Sequence, residues 1–226
     1  MVQWVYEQAC QSRAGQVVVA TDDKRILRVV EGFGGEVCMT SKDHLSGTDR
    51  LQEVCSILCL SDDHVVVNVQ GDEPLMPPGV INQVATNLIE SGSDMATLSE
   101  EIGCVDDLLD PNIVKVVTNQ ASIAMYFSRA PIPYPRDEFG EKERSLPAFI
   151  HCQRHIGIYA YRVALLNKFV AWQPTALERT EKLEQLRALW HGVDIHVALS
   201  EETIPPGIDT EKDLQRTLAL LDEQKL

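Results

Sequence analysis

Three features typical of nucleic-acid-binding, membrane and metal-finger proteins are missing from this chain of 226 residues. Its net charge is −14, so it lacks the excess of positive charge that a long nucleic acid requires. No apolar run approaches the roughly 20 residues that span a bilayer, and no signal peptide is visible at the start. The six cysteines form no C-x-x-C pair, so we expect buried free thiols, no zinc site and a cytoplasmic location.

Short β-branched runs alternate with helical patterns along the chain. Strands are predicted at about 16–20, 36–40, 64–69, 94–98, 114–117, 123–127, 155–161 and 194–199. Helices are predicted at about 21–31, 48–60, 78–89, 162–171, 178–191 and 210–223. This order predicts an α/β fold over residues 1–226, with a mostly parallel sheet and helices on both faces. Ligands of such sheets bind beyond the carboxyl ends of the strands.

The buried strand at 64–69 ends in Gln70-Gly71-Asp72, a group that suits a nucleotide and a metal ion. The carboxylate of Asp72 can hold Mg²⁺, which prefers one or two carboxylates together with phosphate oxygens. The amide of Gln70 both donates and accepts hydrogen bonds, and Gly71 allows close approach of the backbone. An ordinary turn is the alternative interpretation, because glycine and aspartate are common in turns.

Seven ordered blocks resemble the CMP-Kdo synthetases, which are 3-deoxy-manno-octulosonate cytidylyltransferases. One is the Asn68–Pro74 segment, and another is the early block, made of the separate segments Ala20–Asp23 and Gly34-Gly35-Glu36-Val37. The others are His44–Arg50, Tyr126–Arg129, Arg154–Tyr159, Leu183–Arg187 and Gly207–Thr210. The resemblance extends from Met1 to about Leu220, and several ordered blocks are more specific than one short motif. It implies a Rossmann-like nucleotidyltransferase sheet.

The resemblance implies a set of residues for CTP and for magnesium. Asp72 and Asp209 would be the two magnesium ligands, although Asp209 alone also suits a helix N-cap. The nucleotide-binding residues would be Ser46, Gly47, Thr48, Arg50, Gln70 and Gly71. Ser46 to Thr48 open a helix whose backbone N–H groups suit an anion. Arg50 would assist catalysis, and composition alone favours a solvated helix charge at that position.

A second set would bind the acid sugar. It comprises Arg129, His155, Tyr159, Glu184 and Gln185. Arg129 can hold a carboxylate through two N–H groups, or it can be a surface charge at a strand edge. His155 and Tyr159 share one face of a straight strand, as sugar ligands or as a half-buried core pair. Glu184 and Gln185 lie in a charged helix, where a solvated face is the default expectation.

The reaction implied by the resemblance transfers CMP from CTP to Kdo in lipopolysaccharide biosynthesis. Catalysis would rest on positioning and charge neutralisation with Mg²⁺, without a covalent intermediate. Family members pair as homodimers, and residues 130–175 are the expected dimerisation and sugar-side region. The alternatives are another acid sugar, such as an 8-amino-Kdo or a sialic acid, or an inactive remnant that only dimerises or binds a partner.

One family element is not found among the 226 residues. Family members begin with a strand and a loop of the form P-A-R-x-x-S-x-R-L-P-G-K-P-L, which grips the triphosphate. Met1-Val2 resembles the point just after that loop. We therefore expect that the start codon has been assigned too late and that Met1 is an internal methionine. On this basis we expect poor folding and low activity from the 226-residue product alone, since unpaired buried backbone groups and lost phosphate contacts are costly.

Overall fold

The computed structural model describes residues 1–44, 46–139, 145–146, 151–205, 207–208, 210–211, 213–215 and 217–218. The strands are β1 (Val19–Thr21), β2 (Val37–Met39), β3 (Val65–Asn68), β4 (Met95–Glu101), β5 (Lys115–Thr118), β6 (Ala124–Ser128), β7 (Gln153–Arg162) and β8 (Ile195–Leu199). The helices are α1 (Val2–Cys10), α2 (Lys24–Gly32), α3 (Gly47–Ile57), α4 (Pro78–Ser91), α5 (Val105–Leu109), α6 (Val163–Phe169), α7 (Ala176–Glu181) and α8 (Gln185–Trp190).

The first of two compact units comprises residues 1–60, 67–83 and 201–226. In it, β1 and β2 pair in parallel, with Val19 opposite Val37. Asp23 caps α2 by accepting a hydrogen bond from the N–H of Arg25, as the polar segment after the strand predicts. Ser46 caps α3 in the same way, accepting from the N–H of Asp49.

The second unit comprises residues 61–66 and 84–200. Its sheet has the strand order β6-β5-β7-β4-β8, and β3, whose first two residues belong to this unit, pairs with β7. β8 runs parallel to β4, whereas β7 is antiparallel to both β4 and β5. β5 and β6 form an antiparallel pair because only a short turn, residues 119–123, joins them. The unit is built around strand residues that are almost completely buried, among them Leu98, Ile158 and Ile195.

The α/β class is confirmed, and each predicted strand is present within three residues of its expected ends. The predicted helix at 178–191 is wrong as one element, because Lys182 adopts a left-handed conformation (φ 56°) that separates α7 from α8. The short helix α5 was not predicted. Of the predicted helix at 210–223, residues 211, 213–215, 217 and 218 are helical and residue 210 is a bend. The remaining positions, 212, 216 and 219–223, lie outside the described residues.

The six cysteines are all free, but only three of them are buried. The prediction of buried thiols is wrong for Cys10, Cys59 and Cys104, because these lie at the last turn of α1, just after α3 and at the cap of α5. Helix ends present their side chains to solvent more often than strand centres do. None of the described helices is both long and apolar enough to cross a membrane.

Two predictions of domain organisation stay predictions. One is a single domain over residues 1–226, and the other is a dimerisation and sugar-side region at 130–175. The described part of that region lies wholly within the second unit.

Candidate functional site

In the first unit, Arg50 reaches the carboxyl ends of two parallel strands. Its Nη1 donates to Oγ1 of Thr40, at 2.5 Å, and to the carbonyl oxygen of Ser41, at 3.4 Å, just after β2. Its Nη2 lies 3.4 Å from a carboxylate oxygen of Asp22, just after β1. The guanidinium is therefore held at the strand edge where ligands of α/β sheets bind. The alternative of a solvated helix charge does not describe this side chain, which is only 22% exposed.

The start of α3 lies beside the end of β3. A Cβ atom on Gly47 would come within 3.8 Å of the side-chain amide of Asn68, the last residue of β3. Thr48 is buried, whereas Ser46 is half-buried and its hydroxyl caps the helix. The predicted anion-binding turn is thus placed next to the strand that leads to Gln70 and Asp72.

The Gln70-Gly71-Asp72 segment begins a turn, in which the N–H of Glu73 donates to the carbonyl oxygen of Gln70 at 3.3 Å. Gln70 and Gly71 are exposed and Asp72 is half-buried. The N–H of Ile208 donates to the carbonyl oxygen of Asp72 at 2.8 Å, so the backbone at 208 is adjacent to Asp72 despite the distance in sequence. Asp209, the second predicted magnesium ligand, lies outside the described residues, and the pairing of the two carboxylates stays a prediction.

A bulge in β7 brings two of the sugar-side candidates together in the second unit. Thr97 of β4 pairs with Tyr159 and Leu98 pairs with Ile156, so two residues of β7 have no opposite partner on β4. On a regular strand, residues four apart are separated by about 13 Å. Here the ring centroids of His155 and Tyr159 are 5.2 Å apart, because the bulge shortens the path between them.

Both side chains are kept neutral by their surroundings. His155 packs edge-on against Phe127, with ring centroids 5.1 Å apart, and its Nε2 lies 3.0 Å from Oγ1 of Thr97. Burial lowers the pKa of His155 from its ordinary 6.5 to about 3. Burial also raises the pKa of Tyr159, and Tyr161 and the carboxylate of Glu184 raise it further by smaller amounts. The residue Tyr159 is 9% exposed, and no described group hydrogen bonds to its buried phenol oxygen.

We expect acidification to destabilise the protein through His155. The folded pKa lies below the unfolded value, so the unfolded state binds more protons between pH 6.5 and 3, and stability falls as the pH falls through that window. At pH 5 this loss is about 2 kcal/mol. Urea denaturation at pH 7.5 and pH 5 measures it.

The matched variants for this experiment are His155→Gln and His64→Gln. The first removes the half-buried imidazole of His155, and the second removes the exposed imidazole of His64 in the same unit. The pH-dependent loss should shrink in His155→Gln and stay unchanged in His64→Gln. Equal losses in both variants would contradict the assignment to His155.

Gln185 and its neighbours do not form a solvated face. Gln185 and Arg187 are each 7% exposed. The guanidinium of Arg187 makes two hydrogen bonds to the carboxylate of Glu178. Glu178 also completes a capping box with Thr175 at the start of α7. Glu184 is half-buried, and one of its carboxylate oxygens lies 3.7 Å from Arg187. The default expectation of a solvated helix is therefore wrong here, since a buried ion pair joins α7 to α8.

Arg129 is anchored by backbone and carboxylate groups. Its Nε donates to the carbonyl oxygen of Glu181 at 2.8 Å, and its Nη1 donates to that of Pro111 at 2.9 Å. The carboxylate of Glu181 accepts from the backbone N–H of Arg129 and from the hydroxyl of Ser128. Neither of the two guanidinium bonds uses Nη2. The edge between Nη1 and Nη2 is thus the one that can present two N–H groups to a carboxylate.

Several supporting residues were missed in the sequence. Asp22 and Asn68 lie in segments that resemble the family, but the resemblance assigns neither a role, and Thr40 shows no distinguishing signal in the sequence. Lys115 is completely buried. The signal for it in the sequence is the position of a lysine within the apolar run 113–117. Among the described residues, no three or more His, Cys, Asp and Glu side chains cluster in a way that would hold a metal ion.

Comparison with known proteins places the chain in a family. The sequence model of the family described as cytidylyltransferase matches residues 1–195. The chain belongs to the cytidylyltransferase family. This cytidylyltransferase is 55% identical to the 3-deoxy-manno-octulosonate cytidylyltransferase of Pseudomonas fluorescens over 98% of its own length and 88% of the relative. It is 57% identical to the protein of the same name from Cellvibrio japonicus, with the same coverage.

Solved structures agree with this assignment. The cytidylyltransferase superimposes with a TM-score of 0.89 on CMP:2-keto-3-deoxy-manno-octonic acid synthetase in complex with CTP. The two chains are 36% identical, and the match covers 99% of this chain and 88% of the other. A 4-diphosphocytidyl-2C-methyl-D-erythritol synthase matches with a TM-score of 0.57 at 10% identity, a similarity of fold alone.

Proposed function

We propose that this cytidylyltransferase transfers CMP from CTP to 3-deoxy-D-manno-octulosonate (Kdo), for lipopolysaccharide biosynthesis. The observation that carries the proposal is the identity of 55% and 57% to two proteins named for this reaction, over 98% of the chain. The solved relative at 36% identity is a CTP complex, which supports the nucleotide. An acid sugar such as 8-amino-Kdo or a sialic acid is the alternative acceptor.

In the proposed reaction, the anomeric hydroxyl of Kdo attacks the α-phosphorus of CTP. A new P–O bond forms, the bond to pyrophosphate breaks, and the hydroxyl proton is lost to solvent. Arg50 is suited to the phosphates because Thr40, Ser41 and Asp22 hold its guanidinium at the carboxyl ends of β1 and β2. The first turn of α3 offers backbone N–H groups beside it.

We propose that Mg²⁺ is the metal ion of this reaction and that Asp72 and Asp209 hold it. Asp72, the described one of the two residues, fits this role. It is a half-buried carboxylate, and its backbone carbonyl oxygen accepts a hydrogen bond from the N–H of Ile208. One carboxylate or two, completed by phosphate oxygens, is the arrangement that Mg²⁺ prefers. When bound, the ion would neutralise phosphate charge and polarise the α-phosphate.

The second unit supplies the groups that we assign to the sugar. Arg129 would take the sugar carboxylate on its Nη1–Nη2 edge. His155, Tyr159, Glu184 and Gln185 would bind hydroxyl groups. The neutral imidazole and the protonated phenol suit uncharged hydroxyls better than a second carboxylate, because burial of an unpaired charge is costly.

Pyrophosphate release with CTP, Mg²⁺ and each sugar tests the proposal. We expect turnover with CTP and Kdo to exceed turnover with sialic acid as the acceptor or with UTP in place of CTP. Calorimetry of CTP with and without Mg²⁺ separates an enzyme from an inactive remnant, which would bind no CTP. Preference for sialic acid over Kdo, or absence of Mg²⁺-dependent CTP binding, would overturn the proposal.

We further propose a cytoplasmic homodimer that pairs through residues 130–175. Tyr134 is a large side chain of this region that is 63% exposed and packs edge-on against Phe139, so we assign it to the proposed association surface. Sedimentation equilibrium should give twice the monomer mass of 25.2 kDa, and Tyr134→Lys should shift the equilibrium toward monomer. The control is Trp190→Lys, an exposed aromatic outside the region. A monomer at all concentrations contradicts the dimer, and recovery in a membrane fraction contradicts the location.

A further inference from the structure

Thr97, a completely buried residue of β4, makes contacts at the β7 bulge to which the proposed reaction gives no role. Its Oγ1 lies 2.9 Å from the carbonyl oxygen of Ile156 and 2.7 Å from that of Ile158. The same oxygen lies 3.0 Å from Nε2 of His155. Three polar atoms therefore surround one hydroxyl, and that hydroxyl carries a single proton.

The position of the hydroxyl proton follows from its neighbours. Carbonyl oxygens only accept hydrogen bonds, whereas a neutral imidazole nitrogen either donates or accepts. If Thr97 donated to His155, both carbonyl oxygens would face hydroxyl lone pairs at less than 3 Å, which is repulsive. The proton therefore points to the bulge carbonyls, and Nε2 of His155 donates to the hydroxyl.

The protonation state of the ring follows from its packing. The rings of Phe127 and Tyr159 lie 5.1 and 5.2 Å from that of His155, and no described carboxylate bonds to the ring. A charged imidazolium would be poorly solvated there, in line with the lowered pKa of His155. A neutral ring has one N–H group. With that N–H on Nε2, Nδ1 has only a lone pair.

We propose that Thr97 is a positioning residue that fixes the β7 bulge and the Nε2–H tautomer of His155, so that Nδ1 is a hydrogen-bond acceptor for a hydroxyl of the acceptor sugar. This inference rests on the proposed function, because the sugar is the substrate assigned there. It makes His155 a recognition group for a neutral hydroxyl, and it gives the ring no proton to donate from Nδ1.

Nitrogen NMR of the imidazole tests the tautomer in the full chain without any substrate. In long-range ¹H–¹⁵N spectra at pH 7, we expect the shift of an unprotonated nitrogen at Nδ1 and of a protonated one at Nε2. The spectrum of His155→Gln assigns the signals. A protonated Nδ1, or two protonated nitrogens, overturns the proposal whether or not the protein turns over Kdo.

A pair of variants tests the link to the sugar. Thr97→Val keeps the shape but removes the hydroxyl, and Thr97→Ser restores the hydroxyl. The KM for Kdo should rise about tenfold in Thr97→Val, with a smaller change in kcat, and return to within about threefold of wild type in Thr97→Ser. Equal KM values in the two variants overturn the positioning role. If Thr97→Val does not fold, the wild-type spectrum still tests the tautomer, and the KM of Thr97→Ser still tests the role of the hydroxyl.

The outcomes separate this inference from the proposed function. Wild-type protein that fails to use CTP and Kdo contradicts the proposed function and the sugar-binding role, while the Nε2–H tautomer is judged from the spectrum alone. Wild-type protein that uses both substrates but shows a protonated Nδ1 contradicts only the inference about Thr97 and His155.

Discussion

Asp72→Asn should lower kcat/KM by about 10²–10³-fold, the range for loss of one transition-state electrostatic contact. The substitution keeps the size of the side chain and removes its negative charge. The backbone hydrogen bond from Ile208 to residue 72 does not involve the side chain and is retained. We therefore expect a specific loss of activity, measured by pyrophosphate release, with little change in the free energy of unfolding.

A matched substitution controls for the general effect of removing one acidic charge. Asp194 is exposed in the turn before β8, and Asp194→Asn should leave kcat/KM unchanged. Calorimetry adds a second measurement, because Asp72→Asn should lose the Mg²⁺-dependence of CTP binding whatever its turnover. An Asp72→Asn enzyme within about threefold of wild-type kcat/KM, with Mg²⁺-dependent CTP binding intact, would remove Asp72 from the metal site.

Local pattern was sufficient to predict the strands and the positions of the ligand edge. β-branched runs such as Val65–Val67 favour the strand conformation, and polar residues after them mark the strand ends. The predicted burial of this strand is wrong, because all four residues of β3 are half-buried. Arg50 was included through the family resemblance alone. Its contacts with Thr40 and Asp22 depend on the parallel pairing of β1 and β2, which no local pattern reports.

Two errors came from signals that are readable in the sequence. Thr175 and Glu178 form a T-x-x-E capping box, which places the N-cap at Thr175 and the first helical residue at Ala176, two residues before the predicted start. Gly157 lies inside the β7 pattern, and a glycine within a strand often marks a bulge. That bulge is why His155 and Tyr159 are in ring contact, whereas strand periodicity predicts only a shared face.

Long-range hydrogen bonds could not be predicted, because they join segments that are far apart in sequence. The network around Arg129 is the clearest case. Glu181 contacts it from 52 positions away, and Lys115 contacts it from 14. In the sequence, Lys115 is only a charged residue within an apolar strand, and a strand of this kind normally excludes an unpaired charge.

Lys115→Met should lower the free energy of unfolding by at least about 2 kcal/mol. The Nζ of Lys115 donates to the carbonyl oxygens of Asp110, Ile113 and Arg129 at 2.6–2.8 Å, and the residue is completely buried. Methionine fills much of the same volume but donates no hydrogen bond. The carbonyl oxygen of Asp110 also accepts from the backbone N–H of Ile113, so the substitution leaves the carbonyl oxygens of Ile113 and Arg129 unsatisfied. Each of these costs about 1–3 kcal/mol.

Thermal unfolding measures this loss. For a protein of this size, each kcal/mol shifts Tm by about 2–4 °C, so we expect a decrease of at least about 4–8 °C. The control is Lys168→Met, which removes an exposed lysine from the last turn of α6. That variant should unfold within about 2 °C of wild type, because surface substitutions change stability by less than about 0.5 kcal/mol.

One effect opposes this loss: burial of an ammonium group is itself costly, and burial lowers the pKa of Lys115. Replacement of a buried charged group by an apolar one is neutral when its partners are replaced as well. Here the partners are backbone carbonyls, which no side-chain substitution removes, so the loss of hydrogen bonds should exceed the gain in desolvation. The carbonyl of Arg129 would also lose its anchor, and the KM for the acid sugar should rise together with the fall in Tm. An unchanged Tm with an unchanged KM would show that Lys115 neither stabilises this segment nor positions Arg129.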